Sequence, residues 1–511
     1  HALNPVGNKN QLKFSITARD PHLDIPVPSA GDTREFHPSL YLVGIFAGIL
    51  IIFFIWIARV KKFIFRVENE TFLLGVLLFV VLFLSQLIPS FQSPDEFKHF
   101  ERAYFISNGD WVLSEQNGIF GGVLDPNLSE YQSIFNAIPF HPETKMTLAE
   151  QERSMSIPWS NTESHVEHIA TSPYLSVIYL PQALAIKLGR DMNLSIDDTY
   201  KMTRTVCLLV SLIILLIAFE IKRPSLFVWV VLFLPMMLFQ FGSTTIDALS
   251  VSLSILILSV FTKYVSRFEL LSMPVLTALL VAMIVVICSR LYMIPLLLIP
   301  LMVVLRSRRI DHLLASLIAT GFVIWWIVVG MPRVVDERVV IGESQSGIVL
   351  FYLLNPLVFL NVIMSTFQYY GTSYFESFVG ILGWLDTRLE STVYFYSGLA
   401  LLVSAWVSTP WRNIRTYLFE RFVLISIALG STLLIFVALL LNWSVHPAEL
   451  VEGVQGRYFT IPVLTIAYSV QSFKQESQAL SISGLGLFLI WVIYVVLEMN
   501  NALVSRYFLS F

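Results

Sequence analysis

Charge is scarce in this chain. Of its 511 residues only 14% are Asp, Glu, Lys or Arg, and 56% are hydrophobic; an average soluble domain carries about 25% charged residues. That deficit, together with runs such as FLLGVLLFVVLFLSQLIP, excludes a soluble globular protein. Cysteine is scarcer still. Cys207 and Cys288 are the only two, both inside apolar runs, so they read as small packing residues, and no disulfide framework or zinc spacing is present. Also missing are a nucleotide-cradling glycine loop and a nucleophile elbow. GVQGRYF has two glycines but not the strand–helix context of a phosphate loop. The net charge of −3 says little, because in a bilayer protein the placement of charge matters more than its sum. No signal peptide is visible, and a chain opening on His1 is expected to be processed or to be part of a longer protein.

What is present is a series of apolar segments close to the ~20 residues that cross a bilayer as helix. They fall at 39–58, 71–89, 203–221, 225–241, 244–262, 273–289, 291–305, 312–330, 391–408, 418–441, 458–472 and 480–498. Residues 348–385 are apolar but broken by Asn, Pro and Gly, and read as interfacial or re-entrant. Lys and Arg mark cytoplasmic ends. RVKKFIFR, IKR, KYVSR, RSRR and WRNIR all fall on one side of the twelve-span arrangement. Residues 1–38, the long loop 90–202 and the loops near 331–390 and 442–457 then lie outside. The expected organisation is an extracytoplasmic segment 1–38, a first span with a basic loop over 39–70, and a membrane domain over 71–511. LKFSITARDPHLDIPVP alternates like a strand. Aromatic residues in the long loop, Trp111 and Trp159 among them, suit sugar stacking and suit anchoring at the membrane surface equally.

The loop opens on SPDEFKHFERAYFISNGDW. Ser93, Pro94 and Glu96 have the pattern of a helix start, with Glu96 as its capping-box residue. Asp95, His99 and Arg102 follow at i, i+4 and i+7 on one face, while Phe97, Phe100 and Tyr104 line another. Gly109 supplies the stop. The expectation is a short amphipathic helix on the outer membrane surface. Its acid either gains only from the helix dipole and a neighbouring Lys98 or Arg102, or forms part of a site. Other charges arrive at the same height: Asp247 in GSTTIDALSVS, Arg290 in VICSRLYMIPL, Asp386 and Arg388 in ILGWLDTRL, and Arg457 beside Tyr458 in EGVQGRYFTIP. Charges in apolar runs are costly and are usually functional. Acids plus several Arg at one interface suggest a site for an anionic, lipid-linked substrate, since the guanidinium fork matches phosphate oxygens.

SPDEFKHFERAYFISNGD, TSPYLSVIYLPQALAIKLG, GSTTIDALS, CSRLYMIPLLLIP, GILGWLDTRLE and EGVQGRYFTIPVL, spread in order over 93–463, resemble a bacterial family of multi-pass proteins of unknown function related to GT-C glycosyltransferases. The resemblance excludes the piece before about residue 70. It implies an all-α polytopic fold: a GT-C-like bundle of roughly twelve transmembrane helices with a large first extracytoplasmic loop. Such a protein would sit in the bacterial cytoplasmic (inner) membrane with its active site on the extracytoplasmic face. It also implies transfer of a sugar from a polyprenyl phosphate to a glycan, lipid-linked or protein acceptor. Asp95 takes the catalytic acid position, with Glu96 close by; Arg290 stands where many relatives have Lys.

Asp95 would accept the proton of the attacking hydroxyl in an inverting displacement. Arg290 and Arg457 would hold the leaving phosphate, and His99, Arg102, Asp247, Asp386, Arg388 and Tyr458 would line the substrate site. No cofactor and no nucleic-acid partner are expected, although convergence of Asp95, Glu96 and Asp247 would leave room for a divalent cation. Two other expectations compete with the enzyme: a transporter or flippase of lipid-linked glycans, and a non-catalytic envelope-assembly scaffold. The one-rim clustering of charge and the lack of an internal repeat weigh against the transporter.

Overall fold

The computed structural model describes residues 69–116, 119–160, 162–168, 170–267, 271–330, 343–473 and 482–509. The strand-like segment 1–38, the span 39–58 and the basic run that follows it lie outside the described residues.

In hydrocarbon a backbone must satisfy its own polar groups, and membrane-length apolar sequence therefore folds as helix. Ile196–Ile221, Asp247–Val265, Ile310–Val329, Ser391–Ser408, Leu418–Asn442 and Gly484–Tyr507 are each long and apolar enough to cross a membrane. Gln345–Leu354 and Pro356–Gly380, which bend by 102° at Asn355, would make a seventh if counted as one broken span. Glu70–Ser85, Met273–Ser289 and Leu291–Ser307 are apolar but shorter. Large apolar side chains such as Ile318, Leu357 and Leu402 point outward from these helices. That is what a lipid-facing surface requires and what water would penalise.

One expected span takes a different form. Residues 225–241 make two seven-residue helices, Leu226–Leu232 and Pro235–Phe241, interrupted at Phe233–Leu234. Pro235 has no N–H to continue the first helix. Almost every side chain here is buried, so the segment is hydrophobic all round because it is core.

Between Ser85 and Ile196 the chain builds a compact cap. It contains the Glu96–Ser107 helix, a three-stranded antiparallel sheet (Ser114–Gln116, Ile119–Leu124, Ser164–Glu167) and the helices Pro126–Phe135, Leu148–Ser156 and Leu180–Asp191. Asp125 and Thr147 cap their helices from the side chain, and Thr147 with Glu150 completes a capping box. The Glu96–Ser107 helix stops as expected, at Asn108 followed by Gly109 with φ 99°.

The membrane helices run alternately, and their direction separates two kinds of charge. The 69–85 helix runs toward the cap, and the 196–221 helix leaves it to end beside Glu70, which pairs with Arg223 at 3.8 Å. The Asp247–Arg267 helix starts at the cap end, and Met273–Ser289 returns to it at Arg290. Arg306 pairs with Glu420 at the far end (3.2 Å), while Arg457 and Arg506 lie at the cap end. Asp95, Asp247, Arg290 and Arg457 therefore share one end of the bundle, and the basic clusters after residues 221, 262 and 305 share the other.

Candidate active site

Three breaks in helical structure deliver the charges. Asp247 is the first residue of its helix, after the polar turn 242–246, where an acid complements the helix dipole. Arg290 follows the last turn of the Met273–Ser289 helix, before a 3₁₀ segment Leu291–Leu297 that contains Pro295. Arg457 lies in the 3₁₀ turn Gly456–Phe459 that leads into the Thr460–Val470 helix. Gly456 allows that turn to seat: a Cβ there would strike the backbone of Ser377 and Phe378, and its N–H donates to Ser377 Oγ at 2.9 Å.

Asp95 precedes the Glu96–Ser107 helix in the left-handed region, φ 64°, and its side chain makes no cap bond. A non-glycine residue held there costs about 1–3 kcal/mol and commonly marks a functional position. The carboxylate meets Arg457 instead: Nη2 donates to Asp95 Oδ2 at 3.2 Å. Arg457 Nη1 donates to Asp247 Oδ2 at 3.3 Å and to the Pro94 carbonyl at 3.4 Å, and Nε donates to Gln455 Oε1 at 2.7 Å. Arg290 Nη2 donates to Asp247 Oδ1. Asp247 thus clamps two guanidinium groups, one on each oxygen, which makes it an anchor for the arginines.

Both arginines are buried and the Asp247 side chain is 15% exposed, whereas the Asp95 side chain is 54% exposed. Buried ions need this pairing to offset desolvation. Two donors' worth of capacity remains: among the described residues, Arg290 Nε and Ser289 Oγ are buried with no hydrogen-bond partner. Tyr458 lies under the Arg457 guanidinium (5.4 Å), and Tyr174 lies beside Arg290 (5.9 Å).

His99 stands one ring away, stacked on Tyr174 with centroids 5.9 Å apart and with Nδ1 2.7 Å from the Tyr179 hydroxyl. Burial, aided by the positive charges of Arg290 and Arg457, pushes its pKa down to about 3. His99 is therefore a neutral imidazole at ordinary pH.

Other expectations are corrected. The Glu96–Ser107 helix is not a surface amphipathic helix: Glu96, His99, Phe100 and Glu101 through Ile106 are all buried. Glu96 returns one bond of the expected capping box, accepting from Ser93 N at 3.0 Å, but Ser93 is not the N-cap. Glu96 is 0% exposed, and its other oxygen accepts from Tyr200 Oη (2.7 Å), Thr244 N (2.7 Å) and Thr244 Oγ1 (3.1 Å). It ties the turn before Asp247 to the turn before Asp95, a positioning role. Asp95, Glu96 and Asp247 consequently do not converge, and among the described residues no group of three or more His, Cys, Asp or Glu is placed to hold a metal ion.

Arg102 turns away from the cluster and donates to the Trp111 carbonyl (2.9 Å) and Ser176 Oγ (2.8 Å), holding the turn after its helix. Arg388 is exposed and pairs with Glu376 at 2.6 Å. Asp386 pairs with Arg506 at 2.9 Å and accepts from Phe140 N at 2.9 Å. Neither joins the Asp95–Arg457–Asp247–Arg290 chain of pairs. Sequence reasoning missed Tyr174, Tyr179, Ser289 and Thr244. Uncharged residues carry no signal in an apolar context, so only their adjacency to the charged positions could have marked them.

A family model described as a predicted membrane protein (DUF2142) matches residues 77–467. No curated protein and no solved structure matches the chain. The chain belongs to that family and is a multi-pass membrane protein.

Proposed function

For this member of a predicted-membrane-protein family we propose a membrane glycosyltransferase related to the GT-C class. It moves a sugar from a polyprenyl phosphate to an extracytoplasmic glycan, lipid-linked or protein acceptor, with inversion. In this reading the chain crosses the bacterial inner membrane roughly twelve times, the shorter apolar helices and the apolar segment 39–58 included. The end bearing the charged cluster faces outward, because the basic clusters lie at the other end and mark the cytoplasm.

The observation that carries the reading is the Asp95–Arg457–Asp247–Arg290 chain. A half-exposed carboxylate stands against two buried guanidinium groups that retain an unpaired donor. In the reaction an acceptor oxygen attacks the anomeric carbon, the carbon–oxygen bond to phosphate breaks, and that electron pair leaves with the lipid phosphate. Asp95 takes the acceptor proton. Arg457 and Arg290 stabilise the charge that develops on the phosphate, where fixed donors in a water-poor site are most effective. The cluster is neutral at rest, two Arg against two Asp. An entering phosphate therefore competes with Asp95 for Arg457, and winning that competition frees Asp95 to act as base. Asp247 keeps both arginines in place throughout.

The broken pair 345–380 favours a second reading, since discontinuous helices are a device of transporters. Full-length protein in vesicles, supplied with a polyprenyl-phosphate sugar and mixed soluble and lipid-linked acceptors, separates the two. The enzyme releases polyprenyl phosphate and labels an acceptor. A transporter moves the intact donor across the bilayer and leaves its sugar–phosphate bond unbroken.

A further inference from the structure

We infer that the open cleft lined by Phe97, Phe140, Trp384, Asn136, His141 and Thr144, about 520 Å³ in volume, binds the pyranose rings of the acceptor. The word acceptor rests on the transferase reading; the carbohydrate chemistry rests on the cleft itself.

Its walls include three aromatic rings, with Trp384 in contact with each of the other two. The Trp384 centroid lies 6.0 Å from that of Phe97 and 5.7 Å from that of Phe140. Each ring is held in place. Trp384 Nε1 donates to the Phe91 carbonyl at 3.1 Å, and Phe97 stacks on Phe91 at 4.7 Å. The Phe140 backbone N–H is held by Asp386, itself locked by Arg506, which also donates to the Ile138 carbonyl at 2.6 Å. Backbone strain gathers at this same place. Phe91, Phe140 and Leu385 all have φ near +63°, a region bulky side chains rarely occupy and one that costs about 1–3 kcal/mol each.

The strain does not serve to bury Phe140, whose side chain stays 65% exposed. A phenyl ring held exposed by a strained backbone and a buried ion pair is presented to something. Asn136, His141 and Thr144 set polar groups around the aromatic floor. A pyranose has matching chemistry, an apolar C–H face for stacking and a rim of hydroxyls for hydrogen bonds. A lipid chain would leave the polar rim unused. Phe97 lies in the first turn of the helix that Asp95 precedes, which joins the cleft to the element that carries the proposed base.

The test is saturation-transfer NMR on the full chain in nanodiscs, with methyl glycosides of common hexoses, N-acetylhexosamines and 6-deoxyhexoses and the corresponding disaccharides. Wild type should transfer saturation to the ring C–H protons of at least one probe. Phe140→Ala should weaken that probe by about 3- to 10-fold, the range of a lost aromatic contact, and Phe140→Tyr should retain it. Trp384→Phe gives a second, independent weakening. Binding with these dependences, but no transfer from any donor, would keep the cleft as a carbohydrate site and remove the transferase reading. No binding of any probe by wild type, or equal binding by wild type and Phe140→Ala, overturns the inference even if transfer is observed.

Discussion

Asp95 and Glu96 are adjacent acids with opposite surroundings, and their substitutions should separate. Glu96 is wholly buried and accepts from three backbone and hydroxyl donors on two neighbouring turns, as well as from Tyr200. Glu96→Gln turns an NH₂ toward one of those donors, which leaves buried groups unsatisfied and should lower stability by about 1–3 kcal/mol. Asp95→Asn keeps the shape of a half-exposed side chain and should leave stability nearly unchanged while lowering turnover by about 100-fold. Thermal unfolding in detergent, measured beside the transfer assay, checks both halves; a stable Glu96→Gln protein would contradict the hub described for that side chain. His99 adds a pH dependence. Its folded pKa of about 3 lies below the ordinary value of 6.5, so below pH 6.5 the unfolded chain binds a proton that the folded chain refuses. The stabilisation is complete above that pH and is lost as pH falls toward 3, by about 2–3 kcal/mol between pH 6.5 and 4.5. His99→Gln should show a shallower loss of melting temperature over that interval, and an unchanged slope would place the acid sensitivity elsewhere.

At the scale of elements, the cap is fastened to the C-terminal helix by a group of bonds around the Asp386 carboxylate. Asp386 joins Phe140 N to Arg506, while Lys145 Nζ reaches the carbonyl of Ser505 at 2.8 Å and Met146 N that of Tyr507 at 2.8 Å. Asp386→Ala leaves a buried Arg506 without its counter-charge. Hydrogen exchange should accelerate in 138–146 and around 505–507 and stay slow in the 247–267 helix; uniform acceleration would mean that the tether is not local. This tether was not legible in the sequence, where Asp386 looked like one more charge at the site. Ion pairs between residues 120 positions apart leave no local trace. Asp247, Arg290 and Arg457 were legible as a group, because a charge interrupting an apolar run must find a partner, and the nearest partners are charges at the same end. Arg102 was not separated from them, since helical spacing shows a shared face but not what packs on it. The 225–241 segment read as a span for a similar reason: a fully buried core segment and a lipid-facing one have the same composition.

For the whole molecule, the Asp95–Arg457–Asp247–Arg290 chain at one end and the basic clusters at the other fix an axis, and the proposed function needs the end bearing that chain outside. Cysteines at Glu152 and Glu449, both exposed at the cap end, should react with an impermeant maleimide in intact cells. One at Arg308 should react only after permeabilisation. The native Cys207 and Cys288 are each 1% exposed and give no background. The reverse pattern would place the cluster in the cytoplasm and remove it from an extracytoplasmic reaction. The central claim is that Asp95 is the base and Arg457 the phosphate clamp of a single transfer reaction. Its most direct test is release of polyprenyl phosphate from a bound polyprenyl-phosphate sugar in vesicles, with donor binding measured on the same samples. The account predicts that Asp95→Asn, which removes the carboxylate competing for Arg457, binds donor at least as tightly as wild type yet releases product about 100-fold more slowly, whereas Arg457→Lys loses donor affinity because a point charge cannot reproduce the guanidinium fork. Wild-type release by Asp95→Asn would contradict it.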